Sequence, residues 1–352
     1  MRTSTLHGMR LGLLGLLLTA CVNAPEAETF PPVACDLPAT GLPTDLYCTG
    51  LYAKRGSQQI ARQVMAYTPG VTLWSDGADK QRYLYLPQGA TIDTADLDAW
   101  HFPVGTRAWK QFKVDGKLVE TRIFWKREAT KWESGTYVWD GSQTAATLNT
   151  EPKGIILANG YEIPTLKDCG KCHHGASDGL LGVEAVALGL PNAKGATLTT
   201  LAKKGWLSQP PATTTIALPQ DDTGKASEPL GYLHANCGMP CHSTRGLGEE
   251  TKLVLRLRAG EFWPQGGSGA VHAVVASETD IWKATVHQPP TTAAVAQKFP
   301  GAQRIVPGAH DQSLLWLVSH LRGNYQMPPL VSHKVDEVGM QKLADWIDAL
   351  PK

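Results

Sequence analysis

The chain has 352 residues, a length that fits two domains. Hydrophobic residues at 42% and charged residues at 18% give an ordinary globular balance, while Gly 35 and Pro 24 argue against a mostly helical protein. The net charge of +1 offers no basic footprint for nucleic acid and none for a membrane surface held by charge alone.

Arg2 and Arg10 give the N-terminus a positive start, and Leu11 to Leu18 form an apolar run too short to span a bilayer. Leu18-Thr19-Ala20-Cys21 follows and resembles the lipobox of bacterial lipoproteins. The resemblance implies a signal peptide over residues 1–20, with Cys21 as lipid-bearing mature N-terminus. The alternative is an ordinary signal peptide that contains a cysteine. Residues 21–49 then read as a Pro/Ala-rich tether and lead-in to the folded body. No later stretch is long and apolar enough to cross a membrane.

Residues 50–165 read as β-rich. Trp109–Val114, Asp115-Gly116 and Lys117–Lys126 form a hairpin pattern, because Asp-Gly supplies the positive φ angles of a two-residue type I′ turn. Val119, Thr121, Ile123 and Trp125 alternate with Leu118, Glu120, Arg122 and Phe124. Arg82–Leu86 and Gly135–Trp139 are further strands, and an antiparallel sandwich or small barrel is expected. Asp76 and Asp79 read as turn and surface residues.

From residue 166 the texture turns helical, so the expected class is α+β. Residues 166–225 read as a linker region holding the first cysteine pair, and 226–352 as a second, mainly helical domain. Thr197–Lys204 has helical spacing with Gly205 behind it. Ser227-Glu228-Pro229 reads as a helix start, with Leu230, Leu233 and Cys237 on one face. Residues 252–258 alternate like a strand. A helix opening at Asp311 or Ser313 and a last one from Asp336 complete the series.

The seven cysteines fall into three groups. Cys21 is assigned to lipid. Cys35 and Cys48 remain as a disulfide pair in an exported chain, worth roughly 3 kcal/mol on the loop-entropy view. The other four lie in two close pairs, each followed by histidine. Cys169-Gly170-Lys171-Cys172-His173 is the C-x-x-C-H pattern of covalent haem attachment. Two thiols one turn apart each add to a haem vinyl group, and the next residue is placed under the iron as an axial ligand. A disulfide or part of a zinc site is the alternative. Cys237-Gly238-Met239-Pro240-Cys241-His242 carries one residue more between its thiols, and Gly238 and Pro240 suit a looser turn.

Helix, cysteine pair with histidine, Met327-Pro328-Pro329 and a terminal helix succeed one another in the order of small His/Met cytochrome c domains. Met327 is therefore the expected ligand opposite His242, since a thioether partner raises the reduction potential and closes the iron. A loop or core methionine is the alternative. The ligand opposite His173 is open. His234 and His174 are candidates, while His101, His272, His287, His310, His320 and His333 cannot be ranked.

The chain resembles a group of bacterial exported proteins that join a β-rich domain to a C-terminal cytochrome c domain. The likeness rests on Leu73–Lys80, Phe102–Thr106, Glu120-Thr121-Arg122, the Cys169 motif, Tyr232–His242, and Arg304–Gly308 through Pro329. It covers most of residues 70–350. It implies haem c at Cys237, Cys241, His242 and Met327, and no established substrate. The wide Cys237–Cys241 spacing and the long insertion before Met327 depart from the pattern, and the insertion is expected to add strands. The leading expectation is a lipid-anchored electron carrier of the cell envelope with one or two haems and redox partner proteins. A haem enzyme such as a dihaem peroxidase is the second. The third is a ligand-binding lipoprotein, which exposed Trp74, Trp100 and Trp132 would favour.

Overall fold

Asp115 and Gly116 both take positive φ, +50° and +75°, and turn the chain between two long strands. The structure, a computed structural model, describes Met1 and residues 30–263, 267 and 269–352. Residues 1–20 as a signal segment and Cys21 as a lipid site thus concern a stretch outside the described residues, Met1 apart. In chain order the strands are β1 (Met65–Thr68), β2 (Asp79–Tyr85), β3 (Arg107–Val114), β4 (Lys117–Glu128), β5 (Lys131–Trp139), β6 (Ala146–Leu148), β7 (Ile155–Ile156), β8 (Glu162–Ile163) and β9 (Lys194–Gly195). Seven of them make one antiparallel sheet in the order β6-β5-β4-β3-β2-β1-β9, and β7 pairs with β8. The expected α+β class holds. The sandwich or barrel resolves into a single open sheet, whose edges β6 and β9 do not meet.

Alternation along the strands gives the sheet two faces. On one, Tyr83, Trp109, Ile123, Trp125 and Tyr137 pack with Leu46 and Tyr47 of the lead-in and with Leu51 and Tyr52 just after it. Cys35 and Cys48 are disulfide-bonded there, Cα atoms 5.6 Å apart, and tie residue 35 to the turn at Leu46–Thr49. On the other face, Leu84 and Ala108 share a core with Leu188, Leu198, Leu230, Leu343 and Trp346. Sheet and helical half are therefore held together by continuous apolar packing.

The helices are α1 (Leu166–His173), α2 (Ala185–Gly189), α3 (Leu198–Lys203), α4 (Ser227–Leu233), α5 (Ala259–Phe262), α6 (Asp280–Thr285), α7 (Ala293–Lys298), α8 (Leu314–His320) and α9 (Glu337–Ala349). Asp336 caps α9 by accepting from the Gly339 amide, and Met340, Leu343, Trp346 and Ile347 form its buried stripe. Residues 166–225 are no loose connector: β9 joins the sheet beside β1, and α2 and α3 put Val186, Leu188 and Leu198 into the core. Ser227 does not cap α4, because its hydroxyl donates back to the Leu218 and Pro219 carbonyls. Residues 252–258 form no strand, so the expected β insertion is absent from that segment. Among the described residues no helix is long and apolar enough to cross a membrane.

Candidate functional site

The first motif lies on α1. Asp168 accepts from the Thr165 amide at 3.2 Å and hydroxyl at 2.7 Å, which fixes the start of the helix. Helical spacing then puts Cys169, Cys172 and His173 on one side. The His173 ring stacks on Phe124 of β4 with centroids 4.0 Å apart, and its Nδ1 is hydrogen-bonded to the Gly179 carbonyl. That bond fixes the tautomer and leaves Nε2 for a ligand bond. Burial, aided by the Lys110 charge, pushes the imidazole down to about 3, so it is neutral at ordinary pH.

The second motif solves its extra residue by a wider turn. After α4 the backbone passes through a π turn at His234–Gly238, and the His242 amide donates to the Cys237 carbonyl five residues back at 2.7 Å. Gly238 is required at this place, because a Cβ would come within 2.2 Å of the Leu255 carbonyl oxygen. His242 Nδ1 lies 3.3 Å from the Thr251 hydroxyl. Burial, with Arg304 nearby, pushes His242 down to about 4.

Both motifs open onto one cavity of about 420 Å³. Cys169, Cys172 and His173 line it from one side, Cys237, Cys241 and His242 from another, and Met327 from the loop after α8. All four motif thiols are free, and Cys172 and Cys241, one from each motif, line the same cavity. Gly175 seats the motifs together, since a Cβ there would lie 2.4 Å from the Met239 carbonyl oxygen. Met340 of α9 adds a second thioether to the lining, a residue that sequence reasoning did not single out. Among the described residues no group of three or more His, Cys, Asp or Glu converges as a metal-ion site would.

Among the described residues the other histidines do not line the cavity. His234, a candidate ligand for the first motif, is committed elsewhere. Its Nδ1 accepts from the Leu257 amide at 3.0 Å and its Nε2 lies 3.4 Å from Glu184. His174 is exposed, as are His101, His272, His287 and His333. His310 pairs with Asp348, and His320 with the Trp316 carbonyl and Glu337. Trp100 is buried, and Trp74 and Trp132 are half-buried, so the three do not form an exposed aromatic surface. Asp76 holds the His333 and Lys334 amides.

Sequence reasoning missed the cations of the cavity. Arg82, Lys110 and Arg122 face one another across β2, β3 and β4 and line its wall. Arg122 is paired with buried Glu120 at 2.6 Å, and Glu120 also accepts from the Tyr161 hydroxyl. Burial, together with Arg82 and Arg122, pushes Lys110 down to about 7. The only signal for this row was the polar alternation within each strand, and it needs the register to be seen as one feature. Compared with protein-family profiles, curated proteins and solved structures, the chain matches none.

Proposed function

We propose that the protein is a c-type cytochrome that passes electrons through haem bonded to Cys237 and Cys241, and to Cys169 and Cys172. The observation that carries this reading is the shared cavity: four free thiols, two neutral imidazoles and the Met327 thioether line it together. These are the donors that a sulfur-bonded porphyrin uses. The cavity volume of about 420 Å³ lies in the range of roughly 300–1,000 Å³ typical of cofactor sites.

Haem supplies one-electron exchange at an iron that need not change its ligands. His173 and His242 hold Nε2 for the iron, with their Nδ1 atoms engaged by Gly179 and Thr251. Met327, which lines the same cavity, would give the iron held by His242 a soft neutral donor. The Cys35–Cys48 disulfide is of the kind that persists outside the cytoplasm, where haem is attached to thiols. We place the mature protein in the cell envelope, anchored by lipid at Cys21 and exchanging electrons with partner proteins.

Intact mass of the protein from a host competent in c-haem attachment is expected to show one or two added haems. Cys169→Ala and Cys237→Ala assign them to motifs. A mass without haem rejects the reading. Met327→Ala is expected to abolish the weak near-infrared Met–Fe band and lower one potential, and an unchanged spectrum removes Met327 as ligand.

A second reading, a haem oxidoreductase such as a dihaem peroxidase, draws on one feature. Among the described residues that line the cavity no histidine stands besides His173 and His242, so one iron would keep an exchangeable position unless the Met340 thioether closed it.

A further inference from the structure

The cavity holds a feature that electron transfer by itself does not call for. Arg82 stands directly opposite Lys110, and Lys110 directly opposite Arg122, in the antiparallel register. Like charges paired across strands destabilise a sheet. Among the described residues only Arg122 of the three has a counter-charge, Glu120. Arg82 is 6% exposed, and among the described residues its guanidinium meets no carboxylate and no hydrogen-bond acceptor. Lys110 likewise makes no side-chain bond there. Lys80, one row further, donates to the Leu73 carbonyl and to Ser75 Oγ at 3.0 Å, and brings a fourth basic side chain to the same wall.

A buried cation without a partner is costly, and among the described residues no part of the fold is held by Arg82 or by Lys110 through an ion pair. The charges are arranged for something that enters the cavity. A planar guanidinium beside an ammonium matches a carboxylate, with two parallel hydrogen bonds from the arginine. The rest of the wall is largely apolar: Phe124, Leu180, Leu253, Leu315 and Val318 line it. The occupant therefore carries both carboxylates and a large apolar body. A small inorganic oxyanion would satisfy the cations and leave that apolar wall unused.

We propose that the Arg82–Lys110–Arg122 row is a carboxylate-binding site, and that it takes propionate groups of porphyrin held in the cavity. The inference rests on the haem reading above. It adds which residues of the β half hold the cofactor, and it explains why the sheet face over His173 is cationic. Arg82 and Lys110 act as ligand-positioning residues, with no bond to iron.

The test uses full-length holoprotein whose haem content is first fixed by mass, as wild type, R82Q, R82K, K110Q and K117Q. In R82Q and K110Q the propionate bending bands of the resonance Raman spectrum are expected to shift, and one midpoint potential to fall. R82K is expected to keep most of the wild-type behaviour, and K117Q, at an exposed site outside the cavity, all of it. Unchanged Raman bands in both R82Q and K110Q overturn the proposal even if a potential moves, since a through-space charge explains that. If R82Q fails to fold, K110Q decides. A second arm titrates wild type with sulfate and with nitrite at constant ionic strength. A saturable change in the haem spectrum that R82Q abolishes assigns the row to a free oxyanion and overturns the propionate assignment. Wild type lacking haem overturns both readings, whereas haem present with unmoved bands overturns this one alone.

Discussion

Cys172 and Cys241, one from each motif, line the same cavity and differ sharply in acidity. The interaction with Cys241, with Arg122 and Lys110 close by, brings Cys172 down to about 7, while Cys241 is pushed up by Cys172 and by burial. Burial pushes Cys237 up to about 12. Alkylation follows thiolate content. In haem-free full-length protein at neutral pH, iodoacetamide is expected to label Cys172 before Cys169, Cys237 and Cys241, whose thiols are all pushed up. Peptide mapping against time checks the order, and equal rates at the four thiols would contradict the difference in acidity.

Gly248 offers a probe of the second motif. Its φ of −89° suits any residue, so alanine there strains no backbone. A Cβ would nevertheless lie 2.6 Å from His242 Nδ1. Gly248→Ala is expected to turn the imidazole, break its contact with Thr251 and perturb only the haem on the second motif. Redox titration of the holoprotein reads this as one displaced potential. Two displaced potentials, or none, would count against the described seat of His242.

Much of this arrangement was legible from one-dimensional pattern. Asp115-Gly116 announced its hairpin because the turn chemistry is local, and Asp336 announced α9 because a cap acts within one turn. The cysteine motifs were visible for the same reason. Their meeting in one cavity was not, since it depends on Gly175 seating against Met239, a contact between distant segments. Residues 252–258 misled through a real alternation. Leu255 and Leu257 are buried, yet their amides bond to the His242 carbonyl at 2.9 Å and to His234 Nδ1 at 3.0 Å. The segment thus braces the second motif where a strand would have paired. His234 misled as a ligand because a buried imidazole and a metal-bound one look alike in sequence.

Glu184 links that brace to the core. It caps α2 by accepting from the Val186 and Ala187 amides at 2.7 and 2.6 Å, and faces His234. Burial opposes its charge, but the His234 contact and the amide bonds outweigh it and hold the carboxyl below the usual glutamate value. A depressed folded value stabilises the protein above the unfolded one, near 4.5, and that contribution fades as pH falls through the folded value. Glu184→Ala is expected to cost about 1–3 kcal/mol at neutral pH, from the lost cap and the unpaired His234. The difference from wild type should shrink in acid. Urea titrations at pH 7 and below pH 4 measure it, and a gap that does not narrow would exclude an ionised Glu184.

The seat between the motifs is tested by Gly175. A Cβ there would meet the Met239 carbonyl oxygen at 2.4 Å and the Pro240 oxygen at 2.7 Å, and both are backbone atoms that no rotamer change can move aside. Gly175→Ala is therefore expected to overpack the contact and destabilise by about 1–3 kcal/mol. Gly141→Ala is the matched comparison, because nothing lies within 4 Å of its Cβ position. There the loss of unfolded-state freedom is expected to leave stability level or raise it by up to about 1 kcal/mol. Thermal unfolding of the two variants separates the terms: the substitution is chemically identical, so a difference between them measures the packing of one motif on the other. If Gly175→Ala unfolds at the same temperature as Gly141→Ala, the motifs do not touch through Met239 and Pro240, and the shared cavity loses its geometric basis.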